Sequence, residues 1–185
     1  NLPHIGESVR RKEDYRFLTG AGSYTDDINL ANQRVAVFVR SPHAHASITK
    51  IDTKKAMAMP GVIAILTGKE LKADGIGNII CGWMIHSKDG SPMKMGAWSP
   101  LATDTVRYVG DAVVIVVADT KSQARDAAEA VEITYKVKKA VISAVESLKP
   151  GAPQIHPEAA GNLIFDWEIG DAKATEAAFK GAAHV

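Results

Sequence analysis

The sequence predicts an α/β fold organised around residues 106–135, VRYVGDAVVIVVADTKSQARDAAEAVEITY, and three observations within that stretch carry the prediction. Residues 113–118 are an uninterrupted apolar run, which suits a strand covered on both faces. A buried helix would give the same run, but β-branched side chains dominate it. Asp119 and Thr120 then offer side-chain oxygens to cap a helix, after which the period changes from two to about 3.6. Ala124, Ala127, Ala128 and Val131 fall on one stripe, while Lys121, Arg125, Asp126 and Glu129 keep the other faces polar. Residues 132–135 alternate again, so the chain returns as a strand.

The length of 185 residues suits one sizeable domain or two small ones. Twenty-two basic and twenty-one acidic side chains leave a net charge of +1 with no basic stripe, so nucleic-acid binding has little support. Cys81 is the single cysteine, which excludes an intrachain disulfide, and no apolar run approaches the roughly 20 residues of a membrane span. A soluble, cytoplasmic protein is expected. The first residues carry no leader-like apolar stretch. A start at Asn1 and an end just after a helix suggest a piece of something longer.

In chain order, the first thirty residues are polar and glycine-punctuated and read as an extended arm more than a packed element. Gly20-x-Gly22 lacks a preceding strand, a third glycine and a following helix, so glycines serving backbone turns are favoured over a nucleotide loop. Residues 34–40 and 46–52 read as strands, Thr53 as the cap of a short helix over 54–59 stopped by Pro60-Gly61, and 62–66 as a further buried strand. His43 and His45 would share one face of an extended segment and could chelate a metal, but no further ligand follows at suitable spacing. Hydrogen-bonded structural histidines are the favoured reading.

Residues 72–105 have the weakest periodicity, with Gly75, Gly77, Gly82, Gly90 and Gly96 recurring. Long excursions of this kind are usually functional or partner-binding. This one carries Cys81, Trp83, Met84, Met93, Met95 and Trp98. Such side chains either form a satellite core or meet another surface, and the second reading is preferred, with Trp83, Met84, Met93 and Trp98 as the candidate interface. Cys81 has no cationic sequence neighbour and reads as an inert thiol. Beyond Tyr135 come a short helix over 144–148, the breaker group Pro150-Gly151-Ala152-Pro153, a strand over 163–169, a cap at Asp171 and a helix over 172–180 with Ala174, Ala177 and Ala178 on one face. No metalloprotease, nucleophile-elbow or phosphate-loop motif occurs, and the adjacent carboxylates Glu13-Asp14 and Asp26-Asp27 read as solvated.

The residues nevertheless resemble a family. Ile5-Gly6-Glu7-Ser8-Val9-Arg10-Arg11, Arg16-Phe17-Leu18-Thr19-Gly20-x-Gly22-x-Tyr24-x-Asp26-Asp27, Arg40-Ser41-Pro42-His43-Ala44-His45-Ala46, Val106-Arg107-Tyr108-Val109-Gly110-Asp111 and Ala127-Ala128-Glu129-x-Val131-Glu132-Ile133-x-Tyr135 carry the likeness. Ala152-Pro153-x-Ile155-His156, Asn162 and Gly170-Asp171 extend it to the end. In that order they are similar to the start of the molybdopterin-binding large subunit of the xanthine dehydrogenase, aldehyde oxidase and aerobic carbon monoxide dehydrogenase family. Cys81-Gly82-Trp83-Met84 and residues 87–93 look most like the carbon monoxide dehydrogenase large-chain homologues. The chain departs from the family's Leu-Pro-x-Val-Val-Asp after Tyr135, where it reads Val137-Lys138-Lys139-Ala140-Val141-Ile142-Ser143.

The resemblance implies an α/β-hammerhead domain (α+β or α/β in class) over residues 27–142, after an N-terminal arm over 1–26. Residues 143–185 would be a linker and the first strand and helix of a truncated molybdenum-binding domain. Catalytic, cofactor-binding and metal residues of the family lie downstream, so none is carried over, and Cys81 does not match the family's active-site-loop cysteine. The expected function is a non-catalytic N-terminal segment of a molybdenum hydroxylase-type oxidoreductase, inactive alone. Molybdopterin would sit elsewhere in the subunit, with the remaining molybdopterin domains, FAD-binding and 2Fe-2S partners and a homo-oligomeric complex around it. The alternatives are a freestanding adaptor module and, resting only on Gly20-x-Gly22 and His43-x-His45, a nucleotide- or metal-binding protein.

Overall fold

Residues 5–185 are described by the structure, a computed structural model, and the chain divides into two units, Asn1–Arg34 and Val35–Val185. The leader-free reading of the N-terminus falls partly on residues 1–4, outside the described ones. In the first unit the expected extended arm is corrected by two short helical pieces, helix α1 (Asp14–Leu18) and a 3-10 turn (Thr25–Asp27). Neither contains a buried residue, so both rest on local bonds. Gly20, at φ +73°, ends α1: its N–H donates to the Phe17 carbonyl and that of Ala21 to the Arg16 carbonyl, the paired bonds of a left-handed helix stop. Gly22 leaves room for the Phe17 ring, whose Cδ1 lies 2.6 Å from where a Cβ would sit. The nucleotide-loop reading is thereby overturned: Gly20 closes a helix where a phosphate loop would open one. Asp14 and Asp27 accept from the backbone N–H of Arg11 and Tyr24, which accounts locally for one member of each acidic pair.

The second unit is built on two three-stranded antiparallel sheets. Strand β1 (Val35–Arg40) and strand β3 (Val62–Thr67) flank the apolar strand β5 (Ala112–Ala118), with Val116 opposite both Val37 and Ile65. Val113, Val114 and Val116 are fully buried, as the run 113–118 predicts. The other sheet joins β4 (Thr105–Val106), β2 (Ala46–Asp52) and β6 (Glu132–Val137), and Ala46 lies opposite both Val106 and Val137. The α/β hub is therefore corrected. Strand β6 does not rejoin the sheet of β5, every pairing is antiparallel, and the class is α+β.

Helix α4 (Lys121–Glu129) packs on the first sheet, capped by the Thr120 hydroxyl, which accepts from the Gln123 N–H at 3.3 Å. Ala124 and Ala127 have no exposed surface and Ala128 is half-buried, so the alanine stripe lets the helix approach closely. Ala127, with Ala128 packed alongside, shares one core with Ala46, Val106 and fully buried Ala56 of α2 (Lys54–Met57). The expected Thr53 cap is corrected: its side chain makes no capping bond, and the Asp52 carboxylate accepts from Lys54 N–H instead.

A smaller core of Leu71, Leu101 and Ala112 covers part of the other face of that sheet. Leu71 belongs to α3 (Gly68–Ala73), an element the sequence reading passed over although its signal is explicit. Thr67-x-x-Glu70 forms a capping box, in which Thr67 Oγ1 accepts from Lys69 N–H and Glu70 accepts from the Thr67 N–H at 2.8 Å and from the Thr67 hydroxyl. Thr67→Ala should lower stability by about 1 kcal/mol, and Thr67→Ser much less. Equal urea midpoints for Thr67→Ala and the parent would reject the box as a stabilising element.

The predicted strand over 163–169 is also corrected. Those residues form no strand, and Phe165, Trp167 and Ile169 are exposed. The β-forming side chains have no sheet to complete. Helices α5 (Ala144–Ser147) and α6 (Ala172–Gly181) form where expected, Ser143 and Asp171 accepting as caps from Glu146 and Ala174 N–H, and neither buries a residue.

Candidate interaction surface

The excursion between α3 and β4 is an irregular hairpin finger. At its base Ile79 N–H donates to the Trp98 carbonyl at 2.8 Å, and further out Met93 N–H donates to Ile85 at 3.0 Å. At the tip Ser87 N–H donates to Ser91, and Asp89 accepts from Ser91 N–H around Gly90, which has φ +83°. The C-terminal segment holds the finger from one side. Lys94 and Lys88 N–H groups donate to the carbonyls of Ile164 and Asp166 at 2.9 and 2.7 Å, and Asp166 N–H donates to Ser87 Oγ at 3.1 Å. The Lys88–Asp166 ion pair at 2.8 Å lies on the surface and adds little beyond these backbone bonds.

The four candidate interface residues divide. Trp83 is 80% exposed, Met84 48% and Trp98 56%, whereas Met93 is half-buried. Met93 and Trp98 line a cavity of about 330 Å³ together with Ile79, Cys81, Met95 and Ile164. Trp83 and Met84 are not among its lining residues; the Trp83 carbonyl accepts from the Cys81 thiol at 3.2 Å. Met93 and Trp98 thus border a partial satellite core, while Trp83 and Met84 are exposed. Scattered apolar residues are ordinary on a surface, and Ile80, 88% exposed although it also borders the cavity, is separated from Trp83 and Met84 by half-buried Cys81.

His43 and His45 do not act as a pair. His45, 7% exposed, donates from Nδ1 to the Lys139 carbonyl at 2.9 Å, and His43 packs edge-on against Tyr135 with ring centroids 5.0 Å apart. His45 is thus hydrogen-bonded through its ring, whereas the His43 ring is held by packing. Burial pushes the Tyr135 hydroxyl pKa up, partly opposed by the neighbouring Ser41 side chain. Among the described residues no group of three or more His, Cys, Asp or Glu could hold a metal ion, and the finger's cavity offers mainly apolar walls.

Sequence reasoning missed the root of the surface. Residues 153–162 fold back through Asn162, whose carboxamide accepts from Ile155 N–H and donates to the carbonyls of Ser147 and Pro153. Arg107 Nε donates to the Ile155 carbonyl at 3.2 Å, and His156 packs against Gly96, where a Cβ would lie 2.4 Å from Nδ1. A glycine in an apparently structureless excursion was the available signal, but its partner lies sixty residues away in sequence. Burial first, then the Arg107 charge, holds the His156 pKa below its ordinary value of 6.5. The unfolded chain therefore takes up this proton at higher pH than the folded one, so stability is fully present above about 6.5 and falls as pH drops toward the depressed folded value. Thermal melts should show a steeper loss between neutral and mildly acidic pH for the parent than for His156→Gln. Parallel pH profiles would exclude this histidine as a contributor.

The fold and this surface define a class: a small two-sheet α+β domain that presents a finger. The chain belongs to the aldehyde oxidase and xanthine dehydrogenase family, and residues 19–139 match its a/b hammerhead domain. It is 38% identical over 184 residues to the carbon monoxide dehydrogenase large chain of Hydrogenophaga pseudoflava, covering 92% of this chain and 21% of that one. It is likewise 38% identical to the nicotine 6-hydroxylase large subunit of Paenarthrobacter nicotinovorans, covering 98% and 21%. Among solved structures, reconstituted CO dehydrogenase from Oligotropha carboxidovorans superposes with a TM-score of 0.71 at 33% identity, covering 95% of this chain and 22% of that one. Quinoline 2-oxidoreductase from Pseudomonas putida 86 gives 0.69 at 33% identity, covering 82% and 18%. The chain spans about a fifth of the length of these relatives. No described helix is long and apolar enough to cross a membrane.

Proposed function

We propose that this chain is the N-terminal, non-catalytic segment of a cytoplasmic molybdenum hydroxylase-type oxidoreductase large subunit of the carbon monoxide dehydrogenase kind. Its work is to hold neighbouring domains and subunits in position. The observation that carries the reading is ordered similarity across nearly the whole chain to large subunits about five times as long. Molybdopterin is assigned to the rest of the subunit on the family resemblance, and no residue here is given a role in binding it. Residues 143–185 open the next domain. Trp83, Met84, Met93 and Trp98 face the remaining molybdopterin domains or the FAD-binding and 2Fe-2S partners, in a complex that is itself a homo-oligomer. A supporting segment of this kind contributes by fixing the geometry of groups held elsewhere.

The test is to express the complete reading frame with its neighbouring genes and to measure molybdenum content, copurifying iron and flavin, and dye reduction with carbon monoxide, purines, aldehydes and N-heterocycles. Molybdenum in the complete subunit, and none with the 185-residue chain alone, is the expected result. A complete product that ends near this chain and stays metal-free would overturn the proposal in favour of an adaptor module.

A further inference from the structure

The segment 163–169 has one bonded edge and one open edge. The carbonyls of Ile164 and Asp166 and the N–H of Asp166 all point to the finger. In an extended chain, alternate residues direct their backbone groups to opposite sides, so those of Phe165 and Trp167 face the other way. Among the described residues, no backbone hydrogen bond involves Phe165, Trp167 or Ile169. Their side chains are 42%, 53% and 80% exposed. Such a row of unpaired donors and acceptors beside apolar side chains is a template for another strand. Helix α6 directly after it buries nothing either, with Phe179 58% exposed.

We infer that 163–169 is an acceptor edge completed by a β-strand from the remainder of the full-length subunit, an inference that rests on the proposed function. Two observations select that occupant. The matched relatives are about five times longer than this chain, so a subunit of that size brings further strands on the same polypeptide. A second copy fits poorly. Antiparallel self-pairing about Trp167 would set Asp166 of one copy opposite Glu168 of the other, and pairing about Asp166 would set two aspartates together, both destabilising. The register about Phe165 escapes this only by leaving Glu168 and Ile169 outside the ladder. A strand with neutral or basic residues at those positions meets no such penalty.

Hydrogen–deuterium exchange decides the matter, read on this chain and on the complete subunit. In this chain the amides of Phe165 and Trp167 should exchange as in an unprotected peptide, independently of protein concentration. In the complete subunit they should slow by about 100-fold or more, the protection of a paired strand. Equal rates in both proteins would overturn the inference, and so would concentration-dependent protection in this chain, which would identify a second copy as the occupant. The two proposals fail separately. A complete subunit that holds molybdenum but leaves 163–169 unprotected defeats only the strand pairing, whereas a metal-free subunit with a protected edge defeats only the assignment of function.

Discussion

Leu101→Ala should destabilise the domain by about 2–5 kcal/mol, the range for truncating a fully buried leucine, and that is a large share of the roughly 5–15 kcal/mol that typical domains possess. Leu101 has no exposed surface and closes the small core against Leu71 and Ala112, with Leu66 and Ile115 alongside. The site has little freedom to collapse, because Ala102 N–H is tied to the Ala112 carbonyl at 2.7 Å. The Leu101 carbonyl also lies 3.0 Å from where a Cβ on Gly68 would stand. Urea midpoints of the variant and of Ile80→Ala, at a position 88% exposed, make the comparison. A Leu101→Ala midpoint no lower than that of Ile80→Ala would mean that the small core is not part of the cooperative unit. The position matters for function too, since Leu101 is where the finger rejoins the sheets.

The second large effect is of opposite kind. Ala127→Leu should cost about 1–3 kcal/mol by overfilling the contact between α4 and the first sheet. Ala127 has no exposed surface and belongs to the same core as Val113, Val114 and Val116. Ala128→Leu should cost less, because Ala128 is half-buried, and Arg125→Ala should stay within about 0.5 kcal/mol because Arg125 faces solvent. The ranking of the three denaturation midpoints is the measurement, and an Ala128→Leu loss larger than that of Ala127→Leu would turn the helix the other way.

What the sequence disclosed divides along the range of the forces involved. Helix α4 was legible because its cap at Thr120 and its stripe at Ala124 and Ala127 act within a few residues of each other. Strand β5 was legible because a run of β-branched residues states burial directly. Its antiparallel neighbours were not, since Val116 meets Val37 and Ile65 from distant parts of the chain and nothing in the run names them. Residues 163–169 show the same limit in reverse: their side chains favour a strand, yet a strand needs a partner that local preference cannot supply. Helix α3 was missed although its capping box was spelled out, so that omission has no physical excuse. Of the finger, composition pointed to Trp83 and Trp98, both of which are exposed. The clamp of Arg107 and His156 was not legible, because it depends on the fold-back through Asn162.

The second sheet also constrains how the domain comes into being. Strand β2 is paired by β6 across a separation of eighty-four residues between Lys50 and Thr134, and among the described residues β1 has β5 as its one sheet partner. Pairings of that span give a high contact order, which slows folding because loop closure must precede the reward. A nascent chain emerging from the ribosome therefore carries β1, β2 and β3 with their apolar faces uncovered until Ala112–Ala118 appears, and it cannot close the second sheet until Val137 is out. During that interval the β1 and β3 segments present open hydrophobic edges. The domain is in this way itself dependent on late-arriving sequence, and its window for misassembly lies before Val137 has been made.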